Sequence, residues 1–207
     1  MGEVNETSPL SGQPTQPQPK EDSMTDQPTG LCGEDAISAA FDAHMAAEFV
    51  ERDIDATMAT MVSAPYVNHV PVMTGGRDHE EVRRFYRDHF IPRWPPDTHV
   101  TPISRTVGRD QVVDELIISF THDMEMDFLL PGIAPTGRAV ELPLVVVVGV
   151  EDGRVAHEHI YWDQATVLVQ VGILDPRGLP VAGVEQARKV RDRSLPPNAL
   201  IEGWTAE

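Results

Sequence analysis

A chain of 207 residues has room for one ordinary domain with a sizeable core, and is short for two domains and a linker. Its formal charge of −17 disfavours nucleic acid and anionic lipid, which call for a basic surface, and leaves a small molecule or a protein as partner. The single cysteine, Cys32, excludes an intramolecular disulfide and a thiolate metal cluster, and no stretch carries a signal-peptide pattern or the roughly 20 apolar residues of a membrane span, so a soluble, cytoplasmic protein is expected.

Residues 1–33 are rich in Pro, Gln, Ser and Thr and nearly free of large apolar side chains. Such a segment buries too little surface to offset its ordering entropy, so it reads as a disordered tail. Met24 offers a second translation start beside Met1. From Glu34 the spacing turns helical: Ile37, Ala40, Phe41, Met45 and Phe49 form an apolar stripe. Asp53 can cap a shorter second helix carrying Ile54, Met58 and Met61, which Pro65 ends. "YVNHVPV" then reads as a short edge strand limited by Pro71.

"DHEEVRRFYRDHF" predicts a third helix, with Asp78 and Glu81 at capping-box spacing and Val82, Phe85, Tyr86, His89 and Phe90 on one face. After "IPRWPPD", four strands follow between about Val100 and Gln164, one of them running through "VVDELIISFTHDMEMDF" to Phe128. Helices first and strands afterwards mark an α+β domain: a curved antiparallel sheet closed into a cone by three N-terminal helices. "ATVLVQVGIL" and "VEQARKVRDR" add helical stretches near the C-terminus.

The order of elements resembles the SnoaL-like, polyketide cyclase-like branch of the nuclear transport factor 2-like superfamily. The pieces that carry it are "PTGR" before a strand, "DGR" in a hairpin, and an acidic residue closing the last strand before "QVGIL". It spans roughly residues 34–175, setting apart the tail at 1–33 and a C-terminal extension at 176–207. The resemblance implies a cone-shaped α+β barrel, commonly a homodimer, whose cavity takes a small, mostly apolar molecule. Relatives of this kind include cyclases, ketosteroid isomerases, epoxide hydrolases and binding modules without catalysis. It also implies a general base at Asp163.

The chemistry is densest in "HEHIYWDQ", residues 157–164. Alternation along a strand puts His157, His159, Tyr161 and Asp163 on one face and Glu158, Ile160, Trp162 and Gln164 on the other. If Asp163 lines the cavity, the first set forms a polar column there. A poorly solvated carboxylate can then take a proton from carbon beside a carbonyl, with His159 or His122 polarising the oxygen. This requires neither cofactor nor metal. His157, Tyr161, His69, Tyr66, Trp94 and Phe85 are expected to line or border the ligand, a small apolar carbonyl compound; Asn68 could accompany Tyr66.

Three rivals stand beside this reading. His157, His159 and Asp163 have metal-ligand spacing, although the helices preceding them do not suit a jelly roll. An epoxide hydrolase would need two carboxylates and an arginine, drawn from Asp163, Asp127, Glu141, Arg138 and Arg105. A ligand-sequestering module would need no chemistry at all.

Overall fold

The apolar stripe beginning at Ile37 forms the first helix, α1 (Gly33–Met45), which continues into a wider π-helical turn over Ala46–Glu51. The computed structural model describes residues 33–203. The tail expected over residues 1–33 lies outside the described residues except for Gly33, which opens α1. Asp53 caps α2 (Ile54–Ala59) as expected, its Oδ1 accepting from the amides of Asp55 at 2.8 Å and Ala56 at 3.0 Å. Asp78 likewise caps α3 (His79–Phe85) through the Glu81 amide at 2.9 Å. The capping box is shifted by one residue, because the Glu81 carboxylate takes the Arg77 amide and guanidinium instead of the Asp78 amide. A second π-helical turn, Tyr86–Phe90, and a short 3-10 turn over Ile91–Arg93 finish the helical layer.

Six strands follow one another across the sheet in the order β2 (Thr74–Gly76), β1 (Met61–His69), β6 (Arg154–Trp162), β5 (Ala139–Glu151), β4 (Gln111–Thr121) and β3 (His99–Val107). The sheet is mixed, not wholly antiparallel as expected: β1 lies parallel to β6, and the other neighbours are antiparallel. β1 is also no edge strand. β2 takes the edge beyond it, and Pro71 falls in the turn between the two. β4 ends at Thr121 rather than at Phe128; the acidic and Met-rich residues that follow open a loop whose far end, Thr136 to Arg138, is anchored on the His122 backbone. No helix among the described residues is long and apolar enough to cross a membrane.

The core lies between the helices and the inner face of the sheet. Along β5, Val140, Leu142, Leu144, Val146 and Val148 are buried, and the residues between them, Glu141, Pro143, Val145 and Val147, are half-buried. Leu116, Ile118 and Phe120 on β4 extend that surface, and Phe41, Val82, Phe85 and Phe90 cover it from the helices. Arg105 ties α1 to the far strands by pairing with Asp42 and Asp114 while lying 5.4 Å from the centre of the Phe41 ring. At the C-terminal end, α4 (Gln164–Gln170) and α5 (Glu185–Arg191) pack beside β5, where Arg191 reaches Glu141.

A register shift places everything that follows. Glu151 and Val150 oppose Arg154 and Val155, but Gly149 opposes His157 and Val148 opposes Glu158. One extra residue, Ala156, is accommodated in β6, so both Val155 and Ala156 are buried in succession. The parity of β6 is inverted beyond that point.

Tight packing of β2 against α3 yields a test of the fold. A β-carbon on Gly76 would run into the backbone of Glu81 and Val82. Gly76→Ala is expected to destabilise the protein by about 1–3 kcal/mol, measured by urea denaturation.

Candidate functional site

Because of the bulge, Glu158, Ile160 and Trp162 face inward, next to Val148, Val146 and Leu144 of β5. His157, His159 and Tyr161 stand on the outer face, where Tyr161 is 43% exposed. Tyr66, 38% exposed, joins them there, its ring 5.6 Å from that of His159. Burial and the neighbouring His157 both push the His159 imidazole below its ordinary value. The expected polar column therefore exists, but on the side of the sheet away from the core.

Asp163 does not line the cavity either. It caps α4: Oδ1 accepts from the Ala165 amide at 2.9 Å, and Oδ2 from the Thr166 hydroxyl at 3.2 Å and the Gln186 amide group at 2.6 Å. Its oxygens are committed to joining α4 to α5. The placement expected for it is corrected on two physical grounds, the inverted strand parity and the end of β6 at Trp162. His122 is fully buried one residue past β4, with Nδ1 3.1 Å from the Thr136 hydroxyl, and burial lowers its pKa. It holds the following loop and is absent from the cavity wall.

The cavity lies between the helical layer and the inner face of the sheet, with a volume of about 60 Å³. At about 30 Å³ per water in the liquid, that is room for roughly two water molecules. Aromatic and branched side chains form most of the wall, Phe49, Phe90, Trp94, Phe120, Phe128 and Trp162 among them. His69 points inward from β1, opposite Ile160, while Phe85 packs on its ring at 5.4 Å without reaching the cavity. Of the residues singled out in the sequence, His69 and Trp94 line this space; His157, His159, Tyr161, Tyr66, Phe85, His122 and Asp163 do not.

Beside His69 and Trp94, the polar part of the wall comes from residues outside the candidates named from the sequence. Glu48 and Tyr86 each sit in a π-helical turn, a widened geometry frequent at functional sites. They meet Glu158 and the fully buried His44. The Tyr86 hydroxyl donates to Glu158 Oε2 at 2.8 Å, and His44 Nε2 lies 3.1 Å from Glu48 Oε1 and 3.5 Å from Glu158 Oε1. The Thr60 hydroxyl donates to the Thr57 carbonyl at 2.6 Å, so its oxygen is an acceptor for His44 Nδ1, also at 2.6 Å. Nδ1 therefore carries a proton, and Nε2 faces two carboxylates.

Charges in this cluster follow from that arrangement. Burial pulls the His44 pKa down, but Glu48 and Glu158 outweigh it and raise it to about 10. For Glu158, burial favours the acid, yet the His44 charge and the hydrogen bonds from His44 and Tyr86 hold it below the usual carboxylate range. Burial dominates at Glu48 and raises it. Tyr86 is pushed well above its ordinary value, first by burial and then by the two carboxylates. His69 is lowered to about 4 by burial, despite Glu158 and a hydrogen bond with the Thr74 backbone. It is a neutral imidazole at neutral pH.

Three residues of the cavity wall carry a buried polar atom with no hydrogen-bond partner: Glu48 Oε1, His69 Nδ1 and Trp94 Nε1. The 3.1 Å approach of His44 to Glu48 is an ion pair, but its angle is too poor for a hydrogen bond. Leaving a buried polar atom unpaired costs about 1–3 kcal/mol.

A signal for part of this site was present in the sequence. His44 and Glu48 lie three and seven residues beyond Phe41, hence on the apolar face of α1 where ionisable groups are out of place. The residues proposed for the epoxide-hydrolase rival are not gathered in the cavity: Asp127 meets His89, Arg105 meets Asp42 and Asp114, and Glu141 meets Arg191.

A family model for the SnoaL-like domain matches residues 33–158. The chain belongs to that family. The match contains His44, Glu48, His69, Tyr86, Trp94 and Glu158, and stops short of Asp163. Three solved structures share the fold, with its curved, unclosed sheet. A protein from Jannaschia sp. CCS1 described as a SnoaL-like polyketide cyclase has a TM-score of 0.54 and 18% identity, over 70% of this chain and 96% of its own. TsrD from Streptomyces laurentii has a TM-score of 0.53 and 20% identity, over 67% of this chain and 96% of its own. An NTF2-like protein of unknown function from Burkholderia pseudomallei K96243 has a TM-score of 0.51 and 18% identity, over 66% of this chain and 98% of its own. At such identities the likeness concerns the fold alone. No curated protein matches the sequence.

The lowered pKa of His69 has a measurable consequence. Between 6.5, its unfolded value, and about 4, its folded value, the unfolded chain binds the additional proton. Its contribution to stability is therefore complete above that window and is lost as pH falls through it, by at most about 1.4 kcal/mol per pH unit. Denaturation titrations between pH 4 and 7 should show this decline in the wild-type protein and a shallower one in His69→Phe.

Proposed function

We propose that the cavity of this SnoaL-like domain binds a small, mostly apolar carbonyl compound and moves a proton on it. The observation that carries this reading is that three residues of a mostly apolar wall each hold a buried polar atom with no hydrogen-bond partner. Native proteins pair their buried polar groups, and a group left over calls for an occupant. Trp94 Nε1–H is a donor suited to a carbonyl oxygen, and His69 Nδ1, on a neutral ring, is an acceptor suited to a proton leaving the adjacent carbon. The apolar lining would hold the rest of the ligand and exclude water.

This reading moves the base from Asp163, whose oxygens are occupied, to His69. The cavity volume of about 60 Å³ favours a compact substrate unless Met45, Phe49 or Trp94 swings aside. Cyclisation, isomerisation and aldol-type condensation all begin with such a proton transfer. The fold of the Jannaschia relative, described as a polyketide cyclase, is in keeping with it. Sequestration without chemistry is the alternative, and the same experiment separates the two.

Acetone, the smallest ketone with α-hydrogens and so the one suited to a cavity of this size, serves as the probe. Its α-hydrogen exchange in deuterated water is followed by NMR with the full-length protein, and its binding by the fluorescence of Trp94 and Trp162. Enzyme-catalysed exchange should fall by roughly 100-fold or more in His69→Phe and stay near the wild-type level in Asp163→Asn. Trp94→Phe should weaken binding by roughly tenfold, the worth of one hydrogen bond. Binding with no catalysed exchange in the wild-type protein would support the sequestering role instead.

A further inference from the structure

We propose that His44, Glu48 and Glu158 form a site for one divalent transition-metal ion, zinc being the best fit, set into the wall of the cavity. The proposal goes beyond the ligand-binding reading and does not depend on it. One ligand atom from each residue lies within 4.8 Å of the others, and all three side chains are buried. Ligands about 2.0–2.1 Å from a tetrahedral zinc stand roughly 3.3–3.4 Å apart. The separations from His44 Nε2, 3.1 Å to Glu48 and 3.5 Å to Glu158, lie on either side of that spacing.

The surroundings match what a metal centre needs. His44 Nδ1 is held by Thr60, whose own proton is committed to the Thr57 carbonyl, so Nε2 is the nitrogen presented to the two carboxylates. An imidazole fixed through its far nitrogen is the usual outer support of a metal ligand. Tyr86 plays the corresponding part for Glu158 by holding Oε2, which leaves Oε1 on the His44 side. Two carboxylates balance the charge of a dication, and an imidazole–carboxylate set suits zinc among first-row metals.

An independent observation points to an occupant. Glu48 is 4% exposed, and its Oε1, the atom nearest His44, has no hydrogen-bond partner. Its ion pair with His44 supplies charge but no hydrogen bond, so lone-pair capacity of that oxygen remains for an ion. Glu48 and Glu158 both line the cavity, so the remaining coordination position would face the space where a small molecule fits. The ligand set differs from the His157, His159 and Asp163 spacing legible in the sequence, which the fold does not assemble at one point.

The test uses full-length protein, stripped with a chelator and titrated calorimetrically with zinc chloride alone. One equivalent should bind in the micromolar range or tighter and raise Tm. Glu48→Gln and Glu158→Gln should weaken binding by at least about 100-fold, more than the loss of an outer support costs. His157→Ala/His159→Ala, which removes the half-buried pair on the outer face, should bind zinc as the wild type does. Thr60→Val leaves all three ligands in place and should weaken binding by roughly 10- to 100-fold, a second reading if a carboxamide variant does not fold. Absence of stoichiometric binding, unchanged affinity in Glu48→Gln or in Thr60→Val, or its loss in the outer-pair variant would each overturn the site. If zinc fails to bind while acetone exchange persists, the ligand-binding reading stands by itself.

Discussion

One residue of bulge in β6 governs the chemistry of this molecule. Gly149 and Val150 mark the point where the pairing with β6 slips, and beyond it each side chain of β6 has exchanged faces. The slip sends a carboxylate, Glu158, into the interior and two histidines and a tyrosine out of it. Gly149 is suited to that place, since the His157 ring lies over it where a side chain would stand. The composition of the cavity wall is therefore a matter of register as much as of residue type.

Burying Glu158 costs desolvation, and the protein offsets that cost through partners drawn from elements far apart in the chain. His44 comes from α1 and Tyr86 from the turn after α3, while Glu48, from the turn after α1, is a second carboxylate that shares His44. Removing any one partner would leave a charge uncompensated in the interior, whereas an apolar set of similar volume would carry no such liability. A cluster of this kind is weak evidence for stability. What sets it apart from packing is its position on a cavity, with one carboxylate oxygen in an ion pair but without a hydrogen bond.

Capping and catalysis make opposite demands on a carboxylate, and Asp163 shows which one prevails here. A residue that closes a strand and opens a helix has backbone amides within reach, and Asp163 accepts one of them together with the hydroxyl of Thr166 and the amide group of Gln186. His69 and Trp94 are in the reverse position, each with one buried nitrogen, Nδ1 and Nε1, left without a partner, since the rings around them, Phe85, Phe90 and Phe128, offer bulk but no hydrogen bonds.

Local rules sufficed for much of the architecture. Apolar spacing placed the three leading helices, Asp53 and Asp78 signalled their caps, and the turn residues Asp152 and Gly153 separated β5 from β6. The misplaced face of β6 was a different matter. Val145 to Val148 leave the inner and outer sides of β5 without contrast, and the slip beside them depends on pairing between strands, which no single strand encodes. By itself, the order of residues determined the class of fold, its caps and the presence of ionisable groups among apolar ones on α1. Only the tertiary structure decided which of those groups meet, because that depends on strand register and on helices packing across a sheet, both set by contacts between residues far apart in the chain.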